Sequence, residues 1–262
     1  GNRVVQIQHD GVSQITIFDQ PLEEPYEHEK RGTKNEIPLL QNISMMDFQA
    51  KIAMLFRGAL THRRLQLPLA GVFEMEIELE SLRGPDKLPL LSVMKSVIDG
   101  LNKEIIDDDQ SIFACSIVYK KSRNIRPLPS KPKDRLSAAL FERTGKKRML
   151  IQEVNDVSIY VEPKKEPLFL DYDNDALWTF DVDDQRDRIA DALHADGMRI
   201  SGGRPIKLTM NFKGNVLDKD LDNMAKVYFK LLEKLGLESR NVHRIDLTKE
   251  HADKGCTRIL LN

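Results

Sequence analysis

The patterns along residues 1–125 return, in the same order, along residues 148–262. Ile7-Gln8 leads into an alternating strand pattern, Gln14 to Phe18, that ends at Pro21, and Ile151-Gln152 leads into Val157 to Val161, which ends at Pro163. A loop follows in each half. Next comes a helix in which Asp47, Lys51, Ile52 and Ala53 answer at constant offset to Asp184, Arg188, Ile189 and Ala190. Each helix passes through a Gly- or Pro-bearing turn to a strand, Phe73 to Leu79 or Ile206 to Phe212, and each strand to a second helix carrying Lys95 or Lys226. Segments rich in strand formers, beginning near Ile112 and Ile245, close the halves. A period above about 100 residues is far too long for a solenoid. The expected fold is therefore α/β (α+β): a tandem duplication of a small mixed-sheet domain with two helices, forming an intramolecular pseudodimer about a two-fold axis. Repeat 1 would span 1–125, a basic, Pro-containing linker 126–147, and repeat 2 148–262. Two unrelated α/β domains are the competing account, and the Asp–Lys/Arg–Ile–Ala agreement favours duplication.

The chain has 262 residues, enough for two domains with their own cores. Lys and Arg number 40 against 41 Asp and Glu, for a net charge of −1. No whole-molecule field marks a nucleic-acid binder, so any DNA surface must come from local segregation of charge. The two cysteines, Cys115 and Cys256, form no ligand-spaced pair, which argues against structural zinc or a disulfide framework. No apolar run approaches about 18 residues and no signal-peptide pattern precedes the first strand, so a cytoplasmic protein without membrane contact is expected.

Lys219 to Lys226, Lys-Asp-Leu-Asp-Asn-Met-Ala-Lys, opens the second helix of repeat 2 with two carboxylates and places a lysine one turn on. Asp222, Lys226 and Lys230 are four apart and share a helical face. Asp220 stands where it can cap the helix or serve as a ligand. Carboxylates bind a hard cation such as Mg²⁺ and an ammonium meets phosphate, so the grouping suits metal-assisted phosphodiester chemistry. A solvated amphipathic helix with an Asp cap and an Asp–Lys pair is the plainer alternative. Aligning Lys95 with Lys226 puts Pro89 and Leu91 where repeat 2 has Asp220 and Asp222. Repeat 1 has instead Ile-Ile-Asp-Asp-Asp-Gln-Ser-Ile over 105–112, where repeat 2 has no acidic pair.

A strand, then Asp-Leu-Asp-Asn-x-x-Lys opening a helix, then Asp-Asp-Ser/Gln-x-Ile entering a strand, resembles the RusA-type Holliday junction resolvases. Members are homodimers of subunits close to half this length, so the chain resembles two such subunits fused. The resemblance implies a Mg²⁺-dependent endodeoxyribonuclease acting on branched DNA, with Asp220, Asp222 and Asp109 as metal ligands. Asp108 is the other acid of the later pair, and Lys226 or Lys95 assists at the phosphate. Neither half keeps the full carboxylate set. Either ligands from both halves converge in one composite site, or both sites are crippled and the chain is a catalytically silent junction- or protein-binding relative. A pseudodimer in one chain would need no second copy.

Lys120, Lys121, Arg123, Arg126, Lys131 and Lys133 form a basic strap with the single acid Asp134, extended by Arg143, Lys146, Lys147 and Arg148. Beside a carboxylate site it would grip DNA backbone without reading sequence, and it is otherwise a solvated linker. Asp171-Tyr-Asp173-Asn-Asp175 has the start of an EF-hand loop, but Ala176 replaces the turn glycine and Val182 the bidentate Glu. His243 falls in the window that lost its acids and is expected to be structural.

Overall fold

Alternation in Val72–Ser81, where Phe73, Met75, Ile77 and Leu79 are buried and Glu76, Glu78 and Glu80 exposed, sets one strand on an apolar layer with its acids facing out. The computed structural model describes residues 5–11, 13–24, 43–82, 84–85, 89–122, 134–159 and 176–262. Nine described strands form one sheet: β1 (Gln6–His9), β2 (Gln14–Phe18), β3 (Val72–Ser81), β4 (Ile112–Lys121), β5 (Asp134–Thr144), β6 (Lys147–Ile159), β7 (Ile206–Gly214), β8 (Val242–His251) and β9 (Cys256–Leu261). Their spatial order is β1-β2-β9-β7-β8-β4-β3-β5-β6. The described helices are α1 (Ile43–Thr61), α2 (Leu90–Leu101), α3 (Ala176–Ala195) and α4 (Leu221–Lys234). None is long and apolar enough to cross a membrane.

The six central strands read alike from either end. β5–β3 and β9–β7 are antiparallel, β3–β4 and β7–β8 parallel, and β4 meets β8 antiparallel at the centre. Registers agree in detail. Phe73 lies opposite Ile112 with an irregularity before Glu74, and Ile206 opposite Val242 with one before Lys207. Beyond these, Leu79 faces Tyr119 as Phe212 faces Lys249, so Ser116 corresponds to Asp246, and those two residues are paired across the β4–β8 seam.

The two halves are interleaved. β2 pairs with β9, the last of the described strands, while β6 pairs with β5. Each half's opening strand therefore lies against the other half's closing strand. Residues 126–147, expected to link two domains, include β5, whose Leu136, Ala138 and Leu140 are buried against the common core. One shared sheet thus replaces the two separate sheets expected. The strand expected at Val157–Val161 runs instead over Lys147–Ile159 and takes in Ile151 and Gln152. Its apolar residues on either side of Asp156 (φ 56°) belong to one strand bent by a register shift.

α2 and α4 lie over the central β4–β8 pair and touch each other, with α1 packed on α2 and α3 on α4. Each of the two inner helices buries a stripe, Met94, Val97, Ile98 and Leu101 in α2 and Leu221, Met224, Tyr228 and Leu231 in α4. Tyr228 also accepts a hydrogen bond at its hydroxyl from the Leu22 N–H at 2.9 Å, which ties the segment after β2 to α4. Gly236 ends α4 at φ 108°, and the Leu237 N–H returns to the Leu232 carbonyl at 2.9 Å. A Cβ at Gly236 would stand 2.5 Å from the Ile200 carbonyl oxygen. Gly236→Ala is expected to cost about 2–4 kcal/mol and lower Tm by roughly 5–10 °C in a thermal melt. An unchanged Tm would show that this turn is not fixed.

Candidate metal centre

The site forms at one end of the central strand pair, where β4 begins and β7 and β8 finish. Asp108 caps the 3₁₀ turn Asp109–Ser111, accepting from the Gln110 N–H at 2.9 Å, and its carboxylate also meets Lys103 at 3.1 Å. The Asp109 N–H donates to the Asn102 side-chain carbonyl at 3.0 Å, which anchors this turn to the end of α2. From the other half, Asp220 occupies the N-cap position of α4 without a side-chain capping bond. Its carboxylate, 1% exposed, accepts from the Asn223 amide at 3.3 Å. Oxygens of Asp108, Asp109 and Asp220 lie within 4.8 Å of one another, although more than 100 residues of chain separate Asp109 from Asp220.

The electrostatics follow from this crowding. Burial, the Asp220 charge, the adjoining Asp108 and the nearby Asp222 push the Asp109 carboxyl up to about 8. Asp108 is held below the usual range: burial raises it, but the Gln110 N–H, Asp109 and Lys103 together outweigh that. Crowding and burial thus favour a proton on Asp109 at neutral pH.

Asp222, expected as a ligand, is not among the three. It is 5% exposed and pairs with Lys95 of the other half at 3.4 Å, while Lys95 also lies 3.8 Å from Asp99. Lys226, expected at the phosphate, is drawn with Lys230 to Glu24, each at 3.2 Å. These two lysines hold Glu24 ionised: burial raises its carboxyl, but their charges lower it further. Of the two candidate lysines, Lys95 is the one beside a motif carboxylate.

No protein-family model, curated protein or solved structure matches this chain.

Two groups at the site escaped the sequence. Glu23 accepts the Asp220 N–H at 3.2 Å and lies 3.6 Å from Lys219, and burial lifts its carboxyl above the ordinary range despite both. Lys249 is 2% exposed, and its ammonium donates to the carbonyls of Gln110 and Lys219, both at 2.6 Å. Burial pulls its pKa down to about 8, against the opposing pull of Asp220, Glu23 and Asp109. A signal for Lys249 existed: it continues the inward-facing alternation of Ile245 and Leu247, so a lysine on a core face was readable. Nothing local marked Glu23.

The remaining candidates lie elsewhere. Lys120 and Lys121 end β4, roughly 30 Å along the strand from Asp109 rather than beside it, and Lys120 pairs with Glu78. Arg123, Arg126, Lys131 and Lys133 lie outside the described residues. Arg143 and Arg148 are engaged on the sheet's outer face, with Glu74 at 2.9 Å and Glu76 at 2.8 Å. His243 stands edge-on to Tyr119 with ring centroids 5.2 Å apart, a packing role. Asp171 to Asp175 also lie outside the described residues, and Val182 is inside α3, so an EF-hand loop cannot run to it.

Proposed function

We propose that this chain is a Mg²⁺-dependent, structure-selective endodeoxyribonuclease that acts on branched DNA such as Holliday junctions through one composite site. The observation that carries the reading is the meeting of Asp109 and Asp220, with Asp108, from opposite halves. The palindromic strand pairing and matched irregularities support the accompanying view that the halves are a tandem duplication of a RusA-like unit acting as an intramolecular pseudodimer.

The donor set fits the metal. Three carboxylates offer only hard oxygens, and ligands at about 2.0–2.1 Å from one Mg²⁺ stand at most roughly 4 Å apart, so oxygens within 4.8 Å need only a small approach. When bound, Mg²⁺ supplies Lewis-acid stabilisation of phosphoryl oxygens and a water of lowered pKa. Asp109 and Asp220 would hold it, with Asp108 completing the cluster. Lys95 pairs with Asp222 and, being about half exposed, can reach a scissile phosphate from the first half while α4 supports Asp220 from the second. At the opposite end of the central pair the corresponding positions are Pro89 and Leu91, with Ser239 in place of Asp109 and Glu238 in place of Asp108, and among the described residues no second carboxylate cluster forms there. A single site cuts one strand per binding event.

Branched DNA incubated with the protein in Mg²⁺ should accumulate single nicks, with symmetric double cutting only at protein concentrations that pair two chains. Chelation should stop cleavage and leave salt-sensitive binding through the Lys120–Lys133 segment. Binding without nicks at any Mg²⁺ concentration would move the chain to a catalytically silent junction-binding module. Neither binding nor cleavage would remove it from DNA altogether.

A further inference from the structure

Lys249 reaches from β8 to a point between the two carboxylate-bearing turns. Its ammonium bonds the carbonyl of Gln110, the residue directly after Asp109, and the carbonyl of Lys219, the residue directly before Asp220. It also lies 3.5 Å from the Leu217 carbonyl and 5.0 Å from the centre of the Phe113 ring. One bond therefore falls on the peptide that leads into Asp220, and the other on the peptide that follows Gln110, one residue beyond Asp109, one in each half. We propose that Lys249 is a positioning residue: it pins the 108–111 turn of the first half to the 217–220 turn of the second and so sets the spacing of Asp109 and Asp220. The inference rests on the metal-site reading above and deepens it.

Two physical arguments single out a lysine here. An ammonium on a four-carbon stem carries three donors and no acceptor, so it can join carbonyls of separate turns. A buried cation is tolerated only where fixed dipoles and charges replace water, and these carbonyls and the neighbouring carboxylates do so. The other half provides the control. Tyr119 stands in β4 where Lys249 stands in β8, and it donates to the Ser81 carbonyl at 3.3 Å, within its own half. Tyr119 also meets His243 of the second half edge-on, the counterpart of the Lys249–Phe113 contact, but a phenol hydroxyl offers one donor where an ammonium offers three. The buried lysine and the acids occur together.

The test is Mg²⁺ titration of the full chain, followed by thermal shift without DNA and by nicking of a junction. Lys249→Met keeps the volume and removes the donors; Lys249→Gln keeps one donor on a shorter stem. Lys249→Met is expected to raise half-saturating Mg²⁺ at least about tenfold in both assays, the range typical of residues that orient ligands. Lys249→Gln should fall between it and the parent. Nicking should recover at saturating Mg²⁺, and junction binding in chelator should match the parent. A purely structural lysine would lower Tm and leave the Mg²⁺ dependence alone, and that result overturns the proposal. Should neither variant fold, Lys249 is a determinant of the fold and the proposal also fails. If the parent chain itself takes up no Mg²⁺, the metal-site reading falls first; normal uptake by parent and variants alike sinks the role of Lys249 only.

Discussion

Asp109→Asn is expected to reduce strand cleavage by at least about 10³-fold while making the metal-free protein more stable at pH 8. The first effect follows from losing a hard ligand whose place an amide fills poorly. Junction binding should survive, because removing a negative charge does not weaken attraction for phosphate. The second effect follows from crowding. In the folded chain Asp109 is pushed to about 8 by burial and by Asp220, Asp108 and Asp222, far above its ordinary 3.8. At pH 8 it is caught between giving up its proton and repelling its neighbours. An amide has no such conflict, and after discounting for solvent at this half-open site the gain should be roughly 1–2 kcal/mol. Asp220→Asn should likewise end cleavage. Retained cleavage in both variants, or a metal-free Asp109→Asn protein less stable than its parent at pH 8, would break the account of the site.

Mg²⁺ should bind more tightly as pH rises, and the slope should belong to Asp109. The sign is fixed by linkage. A carboxyl whose folded pKa is raised binds more protons in the native than in the unfolded state between about 4 and about 8. Its favourable contribution is therefore lost as pH climbs through that window. A cation that needs the carboxylate must displace the proton, so the logarithm of Mg²⁺ affinity should rise by up to about one per pH unit between pH 6 and 8. The rise in Tm with saturating Mg²⁺ should be small at pH 6 and large at pH 8. In Asp109→Asn the dependence should flatten. A parent chain whose Mg²⁺ affinity ignores pH over this range would refute that displacement.

The positions of the site carboxylates were legible in the sequence because their neighbourhoods are chemically dense. Asp-Leu-Asp-Asn at a helix start and Asp-Asp before a strand stand out in a chain of balanced charge. That they meet did not follow from the repeat alone, since complementary losses fit either one composite site or two crippled ones. The interleaving was not legible. β5 reads Asp-Arg-Leu-Ser-Ala-Ala-Leu-Phe-Glu-Arg-Thr, where alanines and charges mute strand propensity and the preceding prolines suggest a linker. Its burial comes from β3 on one side and β6 on the other, contacts that no local window contains. The division of labour among lysines was hidden for the same reason. Lys226 and Lys95 sit at matching helical positions, yet Glu24, from the segment after β2, captures Lys226 with Lys230 and leaves Lys95 to Asp222.

The place of β9 bears on how the chain can be assembled. Residues 256–261 slot between β2, which precedes them by about 240 residues, and β7, so two sheet edges stay open until that strand is inserted. A chain interrupted before residue 256 would carry both motif turns and still present two unsatisfied rows of backbone amides and carbonyls, the surfaces on which chains stick to one another. Closure of this sheet is a zip between distant parts of the polypeptide, and such long-range pairing is slow to form. A nascent chain thus keeps both edges exposed to aggregation until residues 256–261 arrive, and a six-residue strand supplied in trans would cover the same two edges.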